Sequence, residues 1–506
     1  MRFTRRHRVR GWVVAAVTMS LLVFVTSTSA PGTVQPDVRS VTDEEVAGVV
    51  SAQQAVRPQL PGPVSFALQP DQASEPASAE AVEQQVTQAW KSSRLGDRGA
   101  RAIVVQDALT GDVLVDFSGE KPLTPASLTK VLSAAAIMAV LPPEHTFTTR
   151  VVSGPTAQDI VLVAGGDQLL SAGQGSAKAV AGRAGLEDLA EQTVTALGER
   201  GEKGGQVRVW LDTSYASGPT RSPGWTDFWV DNGFAGRITM LGLEQSRALP
   251  YDPSPPDPAM VAAQSFRESL TAGGLDVAAG PIERMDSGAP TTADAGQATG
   301  AETQSESSAE DPASMPVLAE VESAPLRDVL ALALATSDNA MIEQLSRQGA
   351  LAVGAQTDQE SVNAWVLTTL SDNYGIDTST AKLADTSGLS DGTQVPMQMI
   401  SQTLVAGASG RYPALQSTLS GLPIAGLTGT LTDRFAADSA TQGRGVVRAK
   451  TGSLPQVTSL AGTLSTKDGR MLVFALTSND VDGGAASIEA VAVIDDLVAD
   501  LAACGC

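Results

Sequence analysis

Apolar residues gather into short runs near both ends of the chain. Ala102–Gln106 and Val113–Phe117 are strand-like, and Thr110-Gly111-Asp112 between them predicts a hairpin. Ser459–Leu464 and Met471–Leu476 have the same character, joined through Lys467-Asp468-Gly469, and a helical pattern follows from Ala485 to Ala503. One antiparallel sheet can therefore be assembled from both chain ends and flanked by helices, an α+β fold. Further helices are predicted near Ala79, over Val131–Met138, over Leu326–Leu334 and over Met341–Leu345. Between about 150 and 282 the pattern changes to β-rich pieces, Asp159–Val163 and Gln206–Trp210, with many Gly and Pro turns, which suggests an inserted domain.

The expected partition is an export signal over 1–30, a low-complexity tether over 31–84 and an N-terminal catalytic part over 85–150. A β-rich insert follows over 151–316, its residues 286–316 a disordered loop, and then a C-terminal catalytic part over 317–506. Arg2, Arg5, Arg6, Arg8 and Arg10 precede an apolar run from Gly11 to Val25 and the small residues Thr28-Ser29-Ala30, the layout of a cleavable secretory signal. Ordinary secretion is favoured over twin-arginine export, because His7-Arg8 stand where apolar residues should follow Arg5-Arg6. An exported, extracytoplasmic protein is expected, with peripheral membrane association left open.

The 506 residues carry a net charge of −22, and loss of the five N-terminal arginines makes the remainder more acidic still. That argues against nucleic acid or an anionic membrane as partner. Cys504 and Cys506 are the only cysteines and His7 and His145 the only histidines, so no metal or other cofactor is expected. Trp225, Phe228, Trp229 and Phe234 form the densest aromatic cluster, expected to be a packed local core rather than a ligand platform.

Three polar motifs occur in a fixed order: Ser127-Leu128-Thr129-Lys130, Ser337-Asp338-Asn339 and Lys450-Thr451-Gly452. Ser-x-x-Lys also occurs at Ser118–Lys121 and Ser379–Lys382, but those lie in turn-like surroundings, whereas Ser127 opens a long apolar helix. On a helix, residues three apart share a face, so Lys130 can reach the Ser127 hydroxyl and act as its base if its amine is neutral. Ser361–Asn363 and Ser371–Asn373 are decoys for the second motif. Ser337 instead falls in a tight connection between helices, where it can pass a proton to a leaving amine while Asn339 binds a substrate amide. Val446–Ala449 makes Lys450-Thr451-Gly452 the end of a strand, along which a substrate peptide can pair. Lys450 and Thr451 are expected to bind a terminal carboxylate, and the N–H groups of Ser127 and Ser453 to form an oxyanion hole.

This ordered set resembles that of serine β-lactamases and penicillin-binding proteins. With Leu123–Lys130, Gly165-Gly166-Asp167, Asp385–Ser390 and Leu422–Leu431 in addition, the chain is similar to the class C penicillin-binding proteins of peptidase family S13, D-alanyl-D-alanine carboxypeptidases/endopeptidases, over roughly 86–500. The resemblance implies a penicillin-binding, transpeptidase-like domain split by an insertion, peptidoglycan stem peptides as substrates and β-lactams as inhibitors. It also implies that Asp167 receives the amine of a diaminopimelate side chain. Asp391, however, stands just after Ser-Gly-Leu-Ser, where relatives that pair with that side chain's carboxylate resemble one another in having arginine. A catalytically silent wall-peptide-binding protein and a class A β-lactamase are the competing readings. The paired Ser127 and Lys130 weigh against the first, and the long stretch between Ser127 and Ser337 against the second.

Overall fold

The structure, a computed structural model, describes residues 77–201, 205–285 and 315–506. The export segment, the tether up to residue 76 and nearly all of the 286–316 loop lie outside these residues.

Five strands form the central sheet: β1 (Arg101–Asp107), β2 (Val113–Phe117), β3 (Val447–Leu454), β4 (Val457–Ser465) and β5 (Met471–Ser478). They run antiparallel in the order β3-β4-β5-β1-β2, so the two chain ends share one sheet and β3 is an edge. Period-two alternation sorts the apolar side chains between two cores. Ile103, Val105, Phe474 and Leu476 pack with Val82 and Val86 of the Ala79–Trp90 helix and with Leu497 and Val498 of the Ala485–Ala503 helix. Ala102, Val104, Val473 and Ala475 face α1 (Thr129–Val140), whose residues from Thr129 to Met138 are all buried. Two more helices pack on α1's side of the sheet, α2 (Leu326–Thr336) and α3 (Asn339–Ala352).

The tether expected to run to residue 84 ends earlier, because Val82 is fully buried in a helix that starts at Ala79 behind the N-cap Ser78. The domain boundaries drawn at 150/151 and 316/317 also move. Strand Thr148–Ser153 crosses the first, and it pairs antiparallel with Val317–Glu322, so both belong to the second sheet. That sheet continues through Asp159–Val163, Arg208–Asp212 and Glu283–Arg284, the last three mutually parallel. Parallel neighbours need crossover connections. Helices Leu186–Glu199 and Pro258–Ala272 supply them, and Leu189 and Phe266 pack on Val151, Ile160 and Leu211. The insert is thus a mixed helix and sheet unit rather than a purely β-rich one.

Trp225 is enclosed by Val230, Ile238, Ala340 and Leu389, whereas Phe228 is 58% exposed. Cys504 and Cys506 form a disulfide, and the Ser78 N–H donates to the Cys506 carbonyl at 3.0 Å, closing the described chain ends on each other. No helix among the described residues is long and apolar enough to cross a membrane.

Candidate active site

The chain turns sharply just before α1. Ala126 adopts a positive φ of 50°, Ser127 sits in a single 3₁₀ turn over Ala126–Leu128, and the helix proper begins at Thr129. Two glycines make room for this turn. A Cβ on Gly388 (φ 77°) would lie 2.5 Å from Thr129 Oγ1 and closer still to the Ala126 carbonyl; one on Gly452 would lie 2.8 Å from the Pro125 carbonyl and closer still to Ser459 Oγ. Ser459 Oγ donates to that same Pro125 carbonyl at 2.8 Å, so β3 and β4 press directly on the serine turn.

Lys130, one turn on, is fully buried with its Nζ 3.0 Å from Ser127 Oγ. It donates to Asn339 Oδ1 at 2.6 Å and to the Ser387 carbonyl at 2.8 Å. Both acceptors lack protons, so a neutral amine spends its two hydrogens on them and turns its lone pair to the Ser127 hydroxyl. Burial pushes Lys130 down to about 8, against the pull of the Asp385, Glu343 and Asp338 carboxylates. Relative to a free lysine this disfavours the ammonium by about 3 kcal/mol.

Ser337 ends α2 in the left-handed region (φ 57°, ψ 36°), and its hydroxyl accepts from Lys450 Nζ at 2.8 Å. Lys450 reaches it from β3, buried and also bonded to the Thr451 carbonyl. Burial, and then the nearby Lys130, hold Lys450 well below the usual lysine range. Two buried amines side by side favour one proton rather than two, the arrangement a proton relay needs. Thr451 Oγ1 lies 2.8 Å from Thr430 Oγ1, which ties the strand end to the 422–431 segment. That segment covers the β3 edge at Val447 and Ala449, whose backbone pairs with Ala425 and Pro423. Ser453, beyond them, is exposed.

The structure thus brings Ser127, Lys130, Ser337, Asn339 and Lys450 together, with Thr451, Gly452 and Ser453 along the adjoining edge. Asp167 makes no hydrogen bond to any of them. Asp167 is 3% exposed in strand Asp167–Leu170 of the insert, its Oδ1 accepting from the Leu169 N–H at 2.7 Å. Burial raises its carboxyl to about 7. The decoy serines stand in turns or helices: Ser118 at a positive φ, Ser379 in a turn on Asp377, and Ser361 and Ser371 within Gln359–Tyr374.

Several participants lie outside the three catalytic motifs. Asp385 accepts from the N–H groups of Ser387, Gly388 and Ser390 and from Trp225 Nε1, which fixes the loop whose Ser387 carbonyl holds Lys130. Glu343 accepts from the Thr386 and Ser387 N–H groups at 2.8 Å, and burial raises it to about 7. It lies four residues after Asn339 on one face of α3, a spacing visible in the sequence as an acid among apolar neighbours. Asn339 Nδ2 donates to the Phe234 carbonyl at 2.7 Å, which sets its amide so that Oδ1 faces Lys130.

The chain matches the D-Ala-D-Ala carboxypeptidase 3 (S13) family over residues 82–250 and 293–501. It is 34% identical to carboxypeptidase Rv3627c of Mycobacterium tuberculosis, covering 81% of this chain and 82% of that protein. It is 35% identical to carboxypeptidase DacB of Mycolicibacterium smegmatis, covering 79% and 80%. In fold it is similar to penicillin binding protein 4 (dacB) from Haemophilus influenzae, with a TM-score of 0.61 at 18% identity over 84% of this chain and 100% of that one. The site geometry and these relationships agree: the chain belongs to the D-Ala-D-Ala carboxypeptidase 3 (S13) family and is a D-Ala-D-Ala carboxypeptidase.

Proposed function

We propose that the enzyme works through an acyl-serine intermediate on peptidoglycan stem peptides, outside the cytoplasm, and that penicillin acylates the same serine. The observation that carries this reading is the Lys130 amine, 3.0 Å from Ser127 Oγ with its other hydrogen bonds already committed. Neutral Lys130 takes the Ser127 proton as Oγ attacks the carbonyl of the penultimate D-Ala. The C–N bond then breaks, an ester forms on Ser127, and the departing D-Ala amine receives a proton through Ser337 and Lys450. Water, activated by the returned Lys130 base, hydrolyses the ester. Lys450 and Thr451 hold the terminal carboxylate, and the N–H groups of Ser127 and Ser453 receive the oxyanion. Asn339 retains one amide hydrogen beyond the Phe234 bond for the substrate. Endopeptidase action uses the same steps with a cross-linked amine as leaving group. Export rests on the basic and apolar pattern of residues 1–30.

The test is Ser127→Ala. Purified protein is incubated with fluorescent penicillin and with a defined pentapeptide, and the labelled residue and released D-Ala are identified by mass spectrometry. Label and D-Ala release should both disappear in the variant. Label persisting on Ser118 or Ser379 would sink the assignment.

A further inference from the structure

Arg247 lies far from all three motifs in sequence, in the insert, directly after the Glu244–Ser246 turn that follows strand Leu241–Leu243. Its guanidinium donates twice to Asp338 Oδ2, from Nε at 3.0 Å and Nη2 at 2.8 Å, and Nη2 also reaches Thr336 Oγ1 at 3.3 Å. Thr336 and Asp338 flank Ser337, so one planar group grips both sides of the left-handed residue. The other oxygen of Asp338 caps α3 at the Met341 N–H, 3.0 Å away. Both partners are largely enclosed, with side chains 16% and 13% exposed. The insert makes a second contact with the same motif through the Phe234 carbonyl and Asn339.

We infer that the insert is part of the catalytic assembly and that Arg247 is a positioning residue, holding the Ser337-Asp338-Asn339 turn and cancelling the Asp338 charge beside Lys130. The inference rests on the acyl-serine reading above. Lys130 faces Glu343 from α3, Asp385 from the 385–390 loop, Asp338 from the motif turn and the Lys450 amine from β3. Three carboxylates favour its ammonium form, and only a neutral amine is a base. Pairing Asp338 with the Arg247 guanidinium sets a cation against one of those three pulls. Without Arg247 the Asp338 carboxylate is uncompensated, Lys130 holds its proton to higher pH, and the left-handed turn loses its clamp.

The experiment measures the rate constant of acylation by fluorescent penicillin as a function of pH on the full chain, with thermal melts as a check of folding. Arg247→Ala should acylate at least about tenfold more slowly at pH 7. Its rise of rate with pH should move up by about half a unit or more. Asp338→Asn in the Arg247→Ala background should bring that rise back to the wild-type position or below it, since the uncompensated carboxylate is gone. Arg247→Lys should keep the position of the rise but lose rate, because an ammonium supplies charge without the fork. An unchanged rate in Arg247→Ala overturns the inference, and so does a slower rate with an unmoved pH profile, which marks a merely structural contact. Should Arg247→Ala fail to fold, Asp338→Asn alone must move the rise to lower pH, and an unmoved rise overturns the charge role. Wild-type enzyme that never labels Ser127 would instead defeat the acyl-serine reading, a result separate from any of these.

Discussion

Each hydrogen of a neutral Lys130 amine has a fixed destination, so the group is a base only while it lacks its third proton. With Lys130 near 8, acylation should rise with pH, reach half its plateau near that value, and fall as the ammonium forms below it. A stopped-flow pH profile with fluorescent penicillin checks the sign. Lys130→Arg keeps the charge and loses the titration, since guanidinium does not give up its proton. Its acylation should drop by about a thousandfold, within the usual range for loss of a general base. A near-normal rate would make Lys130 an electrostatic partner only.

Helix α3 shows at the scale of an element which parts of the site could be read ahead of the structure. Its start was legible because Ser337-Asp338-Asn339 separates two apolar helical patterns, and Glu343 falls on the Asn339 face by simple spacing. Phe234 was not legible as a site residue, because it acts through its backbone carbonyl, which leaves no trace in side-chain type. Arg247 and Trp225 were equally hidden, since only tertiary contact distinguishes a positioning cation or a hydrogen-bonding indole from its neighbours. Strand Asp167–Leu170 packs against the same helix: the Gly166 carbonyl accepts from Gln344 of α3, and Asp167 is enclosed. Its folded value of about 7 lies above the ordinary 3.8, so the stability it contributes is complete below 3.8 and lost as pH rises through 7. Asp167→Asn should therefore be more stable than wild type at pH 8 by about 2 kcal/mol, a discounted share of the linkage energy because an amide must also be buried. The gap should close in acid, as urea unfolding at both pH values would show. Turnover should stay within about twofold of wild type; a large loss confined to peptides bearing a side-chain amine would place Asp167 in the substrate site.

The whole molecule joins a catalytic body made from both chain ends to an insert that returns to it at several points, four of them beside the catalytic motifs and the 385–390 loop. Ser222 meets Ser390 at 3.4 Å, Trp225 bonds Asp385, Phe234 bonds Asn339 and Arg247 pairs with Asp338. The first two of these seat the insert on the Ser-Gly-Leu-Ser loop, immediately before Asp391, which is exposed. Arg411, a cation that could have replaced the arginine expected at that position, follows the Met397–Ala408 helix and is itself exposed. An acid at the loop end repels a substrate carboxylate that a cation would attract, and each factor of ten in specificity corresponds to about 1.4 kcal/mol in the transition state. The enzyme should therefore turn over amidated or lysine-type stem peptides at least as well as those with a free side-chain carboxylate. A matched pair of pentapeptides differing only in that carboxylate, compared by kcat/KM, decides the point. Asp391→Arg should shift the ratio toward the free acid by about tenfold if the loop end lines the subsite. A wild-type preference of tenfold or more for the free acid, unmoved by Asp391→Arg, would place carboxylate recognition on another cation and remove Asp391 from the specificity determinants.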